Sequence, residues 1–191
     1  MRIVLEAMCS QAHGRIVEIN DIVRLRQADD ATLRKRVTKL AGSVRARGVR
    51  EGAEIRCVFV HEDFDETDSE LRVKARHRVQ GALDREFNRV YYVLAAWEVE
   101  AWLLLFPEAL KEFTSAWSTP ARYLGADTGL IRDPKRVMMR EVSKAGPQYR
   151  ESDAPDIIQK VTDLGLHKSP SGHNRSYEEF LSSASDCCTS L

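Results

Sequence analysis

The 191-residue sequence contains neither of the glycine-rich patterns that hold nucleotide phosphates, GxxxxGK[ST] and GxGxxG. We therefore do not expect ATP or a dinucleotide to bind by those routes. It also lacks an apolar run long enough to span a membrane, because the longest candidate, 99–106, is short and contains Glu100. We expect neither a membrane span nor a signal peptide.

The sequence also has few cysteines and no net charge. The four cysteines form no CxxC pair, and they are Cys9, Cys57, Cys187 and Cys188. We predict free thiols and a reducing, cytoplasmic location. The formal net charge is zero, so the composition as a whole does not indicate a nucleic-acid partner, although a local basic patch is compatible with it.

Short apolar runs alternate with helical patterns over the first hundred residues. The predicted strands are 3–6, 54–61 and 90–95, and the predicted helices are 16–26, 30–48 and 69–87. Strands that alternate with helices favour a parallel sheet with covering helices. We therefore predict an α/β, Rossmann-like core over residues 1–96.

The pattern changes after Ala96, where prolines separate short helical stretches. The predicted helices of this part are 97–105, 107–113, 134–144, 154–164 and 176–183, with a frayed tail after 182. We predict that residues 97–191 form a helical elaboration packed on the core, so that the chain is one compact unit.

Acidic residues end two of the predicted strands. Glu6 follows the first apolar run, and Asp63 and Asp65 follow the second. Ligands of open α/β folds bind at this edge of the sheet, and three oxygen ligands there suit a hard cation such as Mg²⁺. The alternatives are a solvated acidic loop over 62–70 and an exposed Glu6 paired with an arginine.

These residues carry a resemblance to a known family. A strand ending in Glu6 and a later strand ending in Asp63-x-Asp65 resemble the TOPRIM fold of topoisomerases, primases and overcoming-lysogenization-defect (OLD) nucleases. The segment 96–104, AWEVEAWLL, is similar to small stand-alone TOPRIM-like proteins of bacteria. Further similar positions in the second half are Asp133-Pro134-Lys135, Tyr149 and 176–181.

The resemblance implies a function. Glu6 would be a general base or metal ligand, Asp63 and Asp65 would bind Mg²⁺ or Mn²⁺, and Glu100 would be a fourth carboxylate. The protein would be a metal-dependent nuclease in bacterial anti-phage defence, working with a partner ATPase of the OLD/ABC type. Glycine commonly follows the family's glutamate, but Ala7 stands here. That departure keeps open a non-catalytic interaction subunit that docks on the ATPase.

A second enzyme class shares part of the acidic motif. Asp63-Phe64-Asp65-Glu66-Thr67 matches the DxDxT pattern of haloacid-dehalogenase-type phosphatases, in which the first aspartate is a nucleophile. The predicted strand 90–95 is not followed by the hydroxyl residue that this family needs, and Glu6 would have no role. We rank this interpretation below the nuclease.

Basic residues cluster between 24 and 50. The predicted helix 30–48 has Asp30 as its N-cap, Gly48 as its stop and an apolar stripe formed by Leu33, Val37, Leu40, Ala41 and Val44. A set of the basic residues faces away from this stripe, namely Arg34, Lys35, Lys39 and Arg45. This face is either an ordinary solvated helix surface or a track for a phosphate backbone beside the acidic site. The sequence leaves the choice between DNA and RNA open, and it is compatible with a homo-oligomer.

Overall fold

The computed structural model describes residues 1–9 and 14–189. In that part of the chain the elements are α1 (Arg2–Met8), α2 (Asp30–Glu51), β1 (Val58–Asp63), α3 (Glu70–Leu83), β2 (Val90–Ala95), α4 (Val99–Leu103), α5 (Pro107–Phe113), α6 (Pro134–Val137), α7 (Ala154–Asp163) and α8 (Arg175–Thr189). The predicted α/β class is confirmed.

The sheet is formed by β1 and β2, which run parallel and are connected through α3. Val58 lies opposite Val90, and Asp63 lies opposite Ala95. Both strands were predicted from their β-branched and aromatic residues, and β2 has the predicted bounds. Because the strands are parallel, their carboxyl ends meet at the same edge of the sheet.

Strand β2 separates two apolar clusters. Val93 and Ala95 belong to the cluster formed with the helical half, whereas Tyr92 and Leu94 belong to the cluster under α2 and α3. Successive residues of a strand point to opposite faces, which produces this alternation. The sheet is therefore covered on both sides, which explains why β2 is almost entirely buried.

Helix α2 is the best marked element of the sequence. Asp29, and not Asp30 as predicted, caps it by accepting hydrogen bonds from the backbone N–H groups of Ala31 and Thr32. The helix continues past Gly48, the predicted stop, because Gly52 supplies the left-handed C-terminal cap, with φ of 60°. Its buried stripe is the predicted one, Leu33, Val37, Leu40, Ala41 and Val44.

The prediction of a strand at 3–6 is wrong, because these residues lie in α1. Val4 and Leu5 are buried, and the helix packs on α7 and α8. An apolar run of three residues does not by itself distinguish a strand from a helix turn. Here the neighbouring surface is helical, and no strand of the described sheet pairs with this segment.

The predicted helix at 16–26 is also wrong, since residues 14–25 contain no helix. Leu25 is fully buried, and the backbone N–H groups of Leu25 and Arg26 donate to the carboxylate of Glu62 at 3.1–3.3 Å. A distant side chain therefore satisfies donors that a helix would satisfy internally.

The helical predictions for the second half are confirmed in position. The predicted helix at 134–144 appears as α6 followed by a π-helical turn, Met138–Val142. Helix α8 extends beyond the predicted end, to Thr189, and packs along β2. The division of the chain at residue 96 stays a prediction.

The prediction of free thiols is wrong. Disulfides join Cys9 to Cys188 and Cys57 to Cys187, so the last turns of α8 are tied to α1 and to the residue before β1. The cytoplasmic location stays a prediction, but it loses the support it drew from free thiols. Across the two described ranges, no helix has both the length and the apolar character that crossing a bilayer requires.

Candidate functional site

The carboxyl ends of β1 and β2 lead into two acidic segments held side by side. Phe64 N–H donates to the carbonyl of Ala95 at 2.9 Å, and Asp65 N–H donates to the carbonyl of Trp97 at 3.1 Å. Trp97 N–H returns a bond of 2.8 Å to the carbonyl of Glu66. These bonds continue the pairing beyond the strands and bring Asp63 and Asp65 together with the segment that carries Glu98 and Glu100.

Unusual backbone conformations concentrate at this place. Among the described residues, three that are not glycine have positive φ: Asp65 at 62°, Trp97 at 57° and Asp133 at 52°. Asp65 and Trp97 are hydrogen-bonded to each other, and the charge of Asp133 acts on Glu98. Such conformations cost free energy and cluster at functional sites. The cluster therefore marks this edge of the sheet as a candidate site.

Asp63, the last residue of β1, is the central carboxylate. Its side chain is 41% exposed, but its Oδ1 atom is buried and accepts no hydrogen bond within the described chain. Burial and the charges of Glu98, Asp65 and Glu100, in that order, raise the pKa of Asp63 to about 7, while Arg26 opposes the shift. One Asp63 oxygen thus lacks a partner in an environment that disfavours its negative charge.

The Oδ1 atom of Asp63 faces a histidine. His61 Nε2 lies 3.6 Å away, and it too is buried and has no hydrogen-bond partner in the described chain. Burial, and secondarily the N-terminal ammonium group of Met1, lowers the pKa of His61 to about 4. Neutral His61 therefore offers no positive charge to Asp63 near neutral pH.

Glu98 and Glu100 enter the site from the segment after β2. The pKa of Glu98 is raised, mainly by burial and then by the charge of Glu100, and Lys135 opposes the shift. Glu100 is buried, and its Oε1 accepts a hydrogen bond of 2.9 Å from the hydroxyl of Tyr149. The predicted fourth carboxylate therefore acts electrostatically on Asp63 and is held in place by Tyr149.

Asp65 differs from Asp63 because it has a counter-charge. Its exposed carboxylate accepts from Arg26 Nη2 at 2.8 Å, and the Arg26 guanidinium also lies 5.2 Å from the centre of the Phe64 ring. Arg26 thus neutralises Asp65 and stands at one side of the site.

Glu6 lies on α1 and not at a strand end. Its half-exposed carboxylate pairs with Arg2 one turn earlier, at 3.3 Å. This is the arginine pairing that the sequence left as an alternative. The prediction that Glu6 ends a strand beside the aspartates is therefore wrong, whereas its role as a metal ligand stays a prediction.

The four predicted nucleic-acid-binding residues are exposed on α2: Arg34, Lys35, Lys39 and Arg45. Arg45 is engaged by Glu86, to whose backbone carbonyl it donates at 2.7 Å. No carboxylate of the described chain forms an ion pair with the other three. Their contact with nucleic acid stays a prediction.

The sequence did not predict two residues of the site, Glu98 and Arg26. Glu98 precedes Glu100 by two positions, as Asp63 precedes Asp65, so the repeated acid-x-acid spacing after both strands was an available signal. Arg26 gave no comparable signal, because its reach to Asp65 depends on the non-helical course of residues 14–28.

Over the described ranges, no three His, Cys, Asp or Glu side chains are arranged so that they could hold a metal ion. The carboxylates at this edge act on one another electrostatically without forming a closed ligand cage. Comparison of the chain with protein-family models, with curated proteins and with solved structures finds no match in any of the three.

Proposed function

We propose that this protein is a Mg²⁺- or Mn²⁺-dependent nuclease that hydrolyses phosphodiester bonds at the acidic site. The observation that carries the proposal is the buried Oδ1 of Asp63 at the carboxyl end of β1, which has no hydrogen-bond partner within the described chain and has Glu98 and Glu100 nearby. A buried carboxylate whose pKa is raised by neighbouring carboxylates is an arrangement that a divalent ion would stabilise.

The residues present fit a magnesium ion that is bound only in part by protein. Mg²⁺ commonly uses one or two carboxylates, and water and substrate phosphates complete its shell, so no closed protein cage is needed. Asp63 would be the principal ligand, with Glu98 or Asp65 as the second. The ion supplies Lewis-acid activation of a phosphoryl oxygen when it is bound.

The surrounding side chains organise the carboxylates. Tyr149 fixes the orientation of Glu100 through its hydroxyl, and Arg26 holds Asp65 at the rim. Lys135 places a positive charge near Glu98 and Glu100 while it pairs with Glu151. In our proposal Arg26 and Lys135 also attract the phosphate backbone toward Asp63.

The biological setting is proposed from the resemblance to TOPRIM proteins. The nuclease would be the effector of a bacterial anti-phage system and would work with a partner ATPase of the OLD/ABC type. The exposed cations Arg34, Lys35 and Lys39 on α2 would contact the nucleic acid.

A cleavage assay with a matched control tests the proposal. Supercoiled plasmid and single-stranded RNA are incubated with the protein and Mg²⁺ or Mn²⁺. We expect Asp63→Ala to lower cleavage by about a hundredfold or more, the scale for losing one charge-stabilising group. Glu66→Gln should cleave normally, because its exposed side chain in the same loop forms no ion pair within the described chain. Equal cleavage by Asp63→Ala and wild type would refute a nuclease site at Asp63.

The alternative is a non-catalytic subunit that binds a metal ion and docks on the ATPase. The helical position of Glu6 and its pairing with Arg2 favour it, because the general base of the nuclease scheme is then not at the strand edge. Metal binding that depends on Asp63, without cleavage of DNA or RNA even when the ATPase is added, would favour this alternative. A trapped phospho-aspartate at Asp63 would instead favour the phosphatase.

A further inference from the structure

A cavity of about 590 Å³ lies apart from the acidic carboxylates, between residues 21–24 and the outer face of α2. Its polar lining is strongly basic: Arg24, Arg36 and Lys39 stand against the single carboxylate of Asp21, and Ser43 adds a hydroxyl. Ile22, which is 87% exposed, adds an apolar wall. The volume is in the usual range for a small-molecule site.

The three cations of this cavity are not engaged in ion pairs. Within the described chain, neither Arg24, Arg36 nor Lys39 forms an ion pair with a carboxylate. Elsewhere on the surface of α2, Arg45 and Arg47 are paired with Glu86 and Glu51. Three cations beside the one carboxylate of the cavity lining therefore give this concave place a net positive potential that suits an anion.

The wall of the cavity is firmly attached to the rest of the fold. Arg36 donates from its guanidinium to the carbonyl of Arg24, which links the two sides. One residue further on, buried Leu25 and Arg26 are bound to Glu62 through their N–H groups. Arg78 donates to the carbonyl of Arg26 at 2.7 Å. The backbone at Arg24 and the guanidinium of Arg36 are therefore held in place before a ligand arrives, which lowers the entropy cost of binding.

We propose that this cavity binds the phosphate group of a nucleotide, either free or within a nucleic-acid strand. Arginine forks and a lysine suit the oxygens of a phosphate, and the exposed face of Ile22 suits the ribose or base attached to it. Glu62 and Asp63 are adjacent on β1 and point to opposite faces, so the cavity lies across the strand from the acidic site. Binding here does not require chemistry at Asp63.

Calorimetry on the full chain in EDTA tests this site, with inorganic phosphate, AMP and a DNA strand of about ten nucleotides as probes. We expect Lys39→Gln to weaken AMP binding about tenfold, the loss of one charge-assisted hydrogen bond. Arg50→Gln removes an exposed charge of the same helix outside the cavity, and it should change the AMP affinity less than about twofold. Arg36→Gln should behave as Lys39→Gln does.

Further controls distinguish binding in this cavity from binding at the acidic site and from diffuse attraction to the basic helix. Asp63→Asn should bind AMP as the wild type does, so a failed nuclease assay would leave the proposal standing. If AMP displaces the DNA strand and the strand binds more tightly than AMP, the phosphate bound here belongs to a nucleic acid. If the strand and AMP bind with equal affinity, it belongs to a free nucleotide. Equal losses in Lys39→Gln and Arg50→Gln would overturn the proposal, because they indicate diffuse attraction. No binding of any probe at millimolar concentration would overturn it as well.

Discussion

At the scale of single residues, His61 and Asp63 form a pair whose two buried atoms lie 3.6 Å apart and have no hydrogen-bond partner within the described chain. Burial keeps His61 neutral near neutral pH, with a pKa of about 4, and raises the pKa of Asp63 to about 7. Between about pH 4 and 7 the titratable proton of the pair is therefore on the carboxyl group and not on the imidazole. A cation that binds Asp63 must displace this proton.

The two members of the pair make opposite contributions to stability as pH changes. For Asp63 the folded chain binds more protons than the unfolded chain between pH 3.8 and about 7, so this contribution falls as pH rises. For His61 the unfolded chain binds more protons between about pH 4 and 6.5, so this contribution falls as pH falls.

We therefore expect Asp63→Asn to gain stability relative to wild type as pH rises from about 4 to 7. His61→Gln should gain relative stability as pH falls from 6.5 to about 4. Urea denaturation across this range measures the free energy of unfolding of each variant. Two variants whose stabilities run parallel to wild type at every pH would disprove this description of the pair.

The residues of the site were predictable to different degrees. Asp63 and Asp65 could be selected because acidic side chains directly after apolar runs stand out in a sequence, whereas Glu100 was selected only through the resemblance of its segment to TOPRIM-like proteins. Glu6 met the same criterion as the two aspartates but lies in a helix, since a three-residue run does not fix its own secondary structure. The partnership of Arg26 with Asp65 joins positions 39 apart and depends on tertiary structure that no local pattern encodes.

At the scale of elements, a buried arginine connects α3, β2 and α8. Arg72 is fully buried. Its guanidinium donates to the carboxylate of Asp68, four residues earlier in the chain, at 2.6 Å and to the carboxylate of Glu179 in α8 at 3.0 Å. It also donates to the carbonyl of Leu94 in β2 at 3.0 Å. This network fixes α8 against the sheet next to the strand end that leads into the acidic site.

Removal of the buried charge should be costly. We expect Arg72→Met to lower the free energy of unfolding by about 3–5 kcal/mol, because Asp68 and Glu179 then lose their buried partner. Arg76 also pairs with Glu179, at 3.3 Å, but it is partly exposed. Arg76→Met should cost about 1 kcal/mol or less. Equal costs in chemical denaturation would show that burial of Arg72 does not govern the network.

Element prediction succeeded where a pattern was long and flanked by caps. Helix α2 has five apolar positions at helical spacing, an aspartate cap and a nearby glycine, and its buried face matches the prediction. Residues 16–26 are richer in apolar residues than α2 but have no cap, and Glu62 draws their last N–H groups away from a helix. The spacing of apolar residues along the chain does not reveal a competing tertiary partner of this kind.

At the scale of the whole molecule, the two ends of the chain are joined. The disulfide Cys9–Cys188 links residues separated by 179 positions, and Cys57–Cys187 links residues separated by 130. The adjacent Cys187 and Cys188 thus tie α8 to α1 and to the start of β1. Such connectivity cannot be deduced from cysteine spacing alone, which is why the sequence favoured free thiols.

The disulfides should be detectable in the purified protein. We expect the four cysteines to resist alkylation in denaturant until a reductant is added. Reduction should then lower the free energy of unfolding by about 2–4 kcal/mol for a bond that closes a long loop. Alkylation of all four thiols without reductant, in protein purified under air, would contradict the pairing.

We propose that Asp63 forms the core of a divalent cation site, and calorimetric titration with Mn²⁺ tests this proposal most directly. We predict that wild type and Glu66→Gln bind Mn²⁺ alike and release protons below pH 7, because the carboxyl group of Asp63 must ionise. Asp63→Asn should bind roughly tenfold more weakly or worse. Undiminished binding by Asp63→Asn, or no binding by the wild type, would contradict the account.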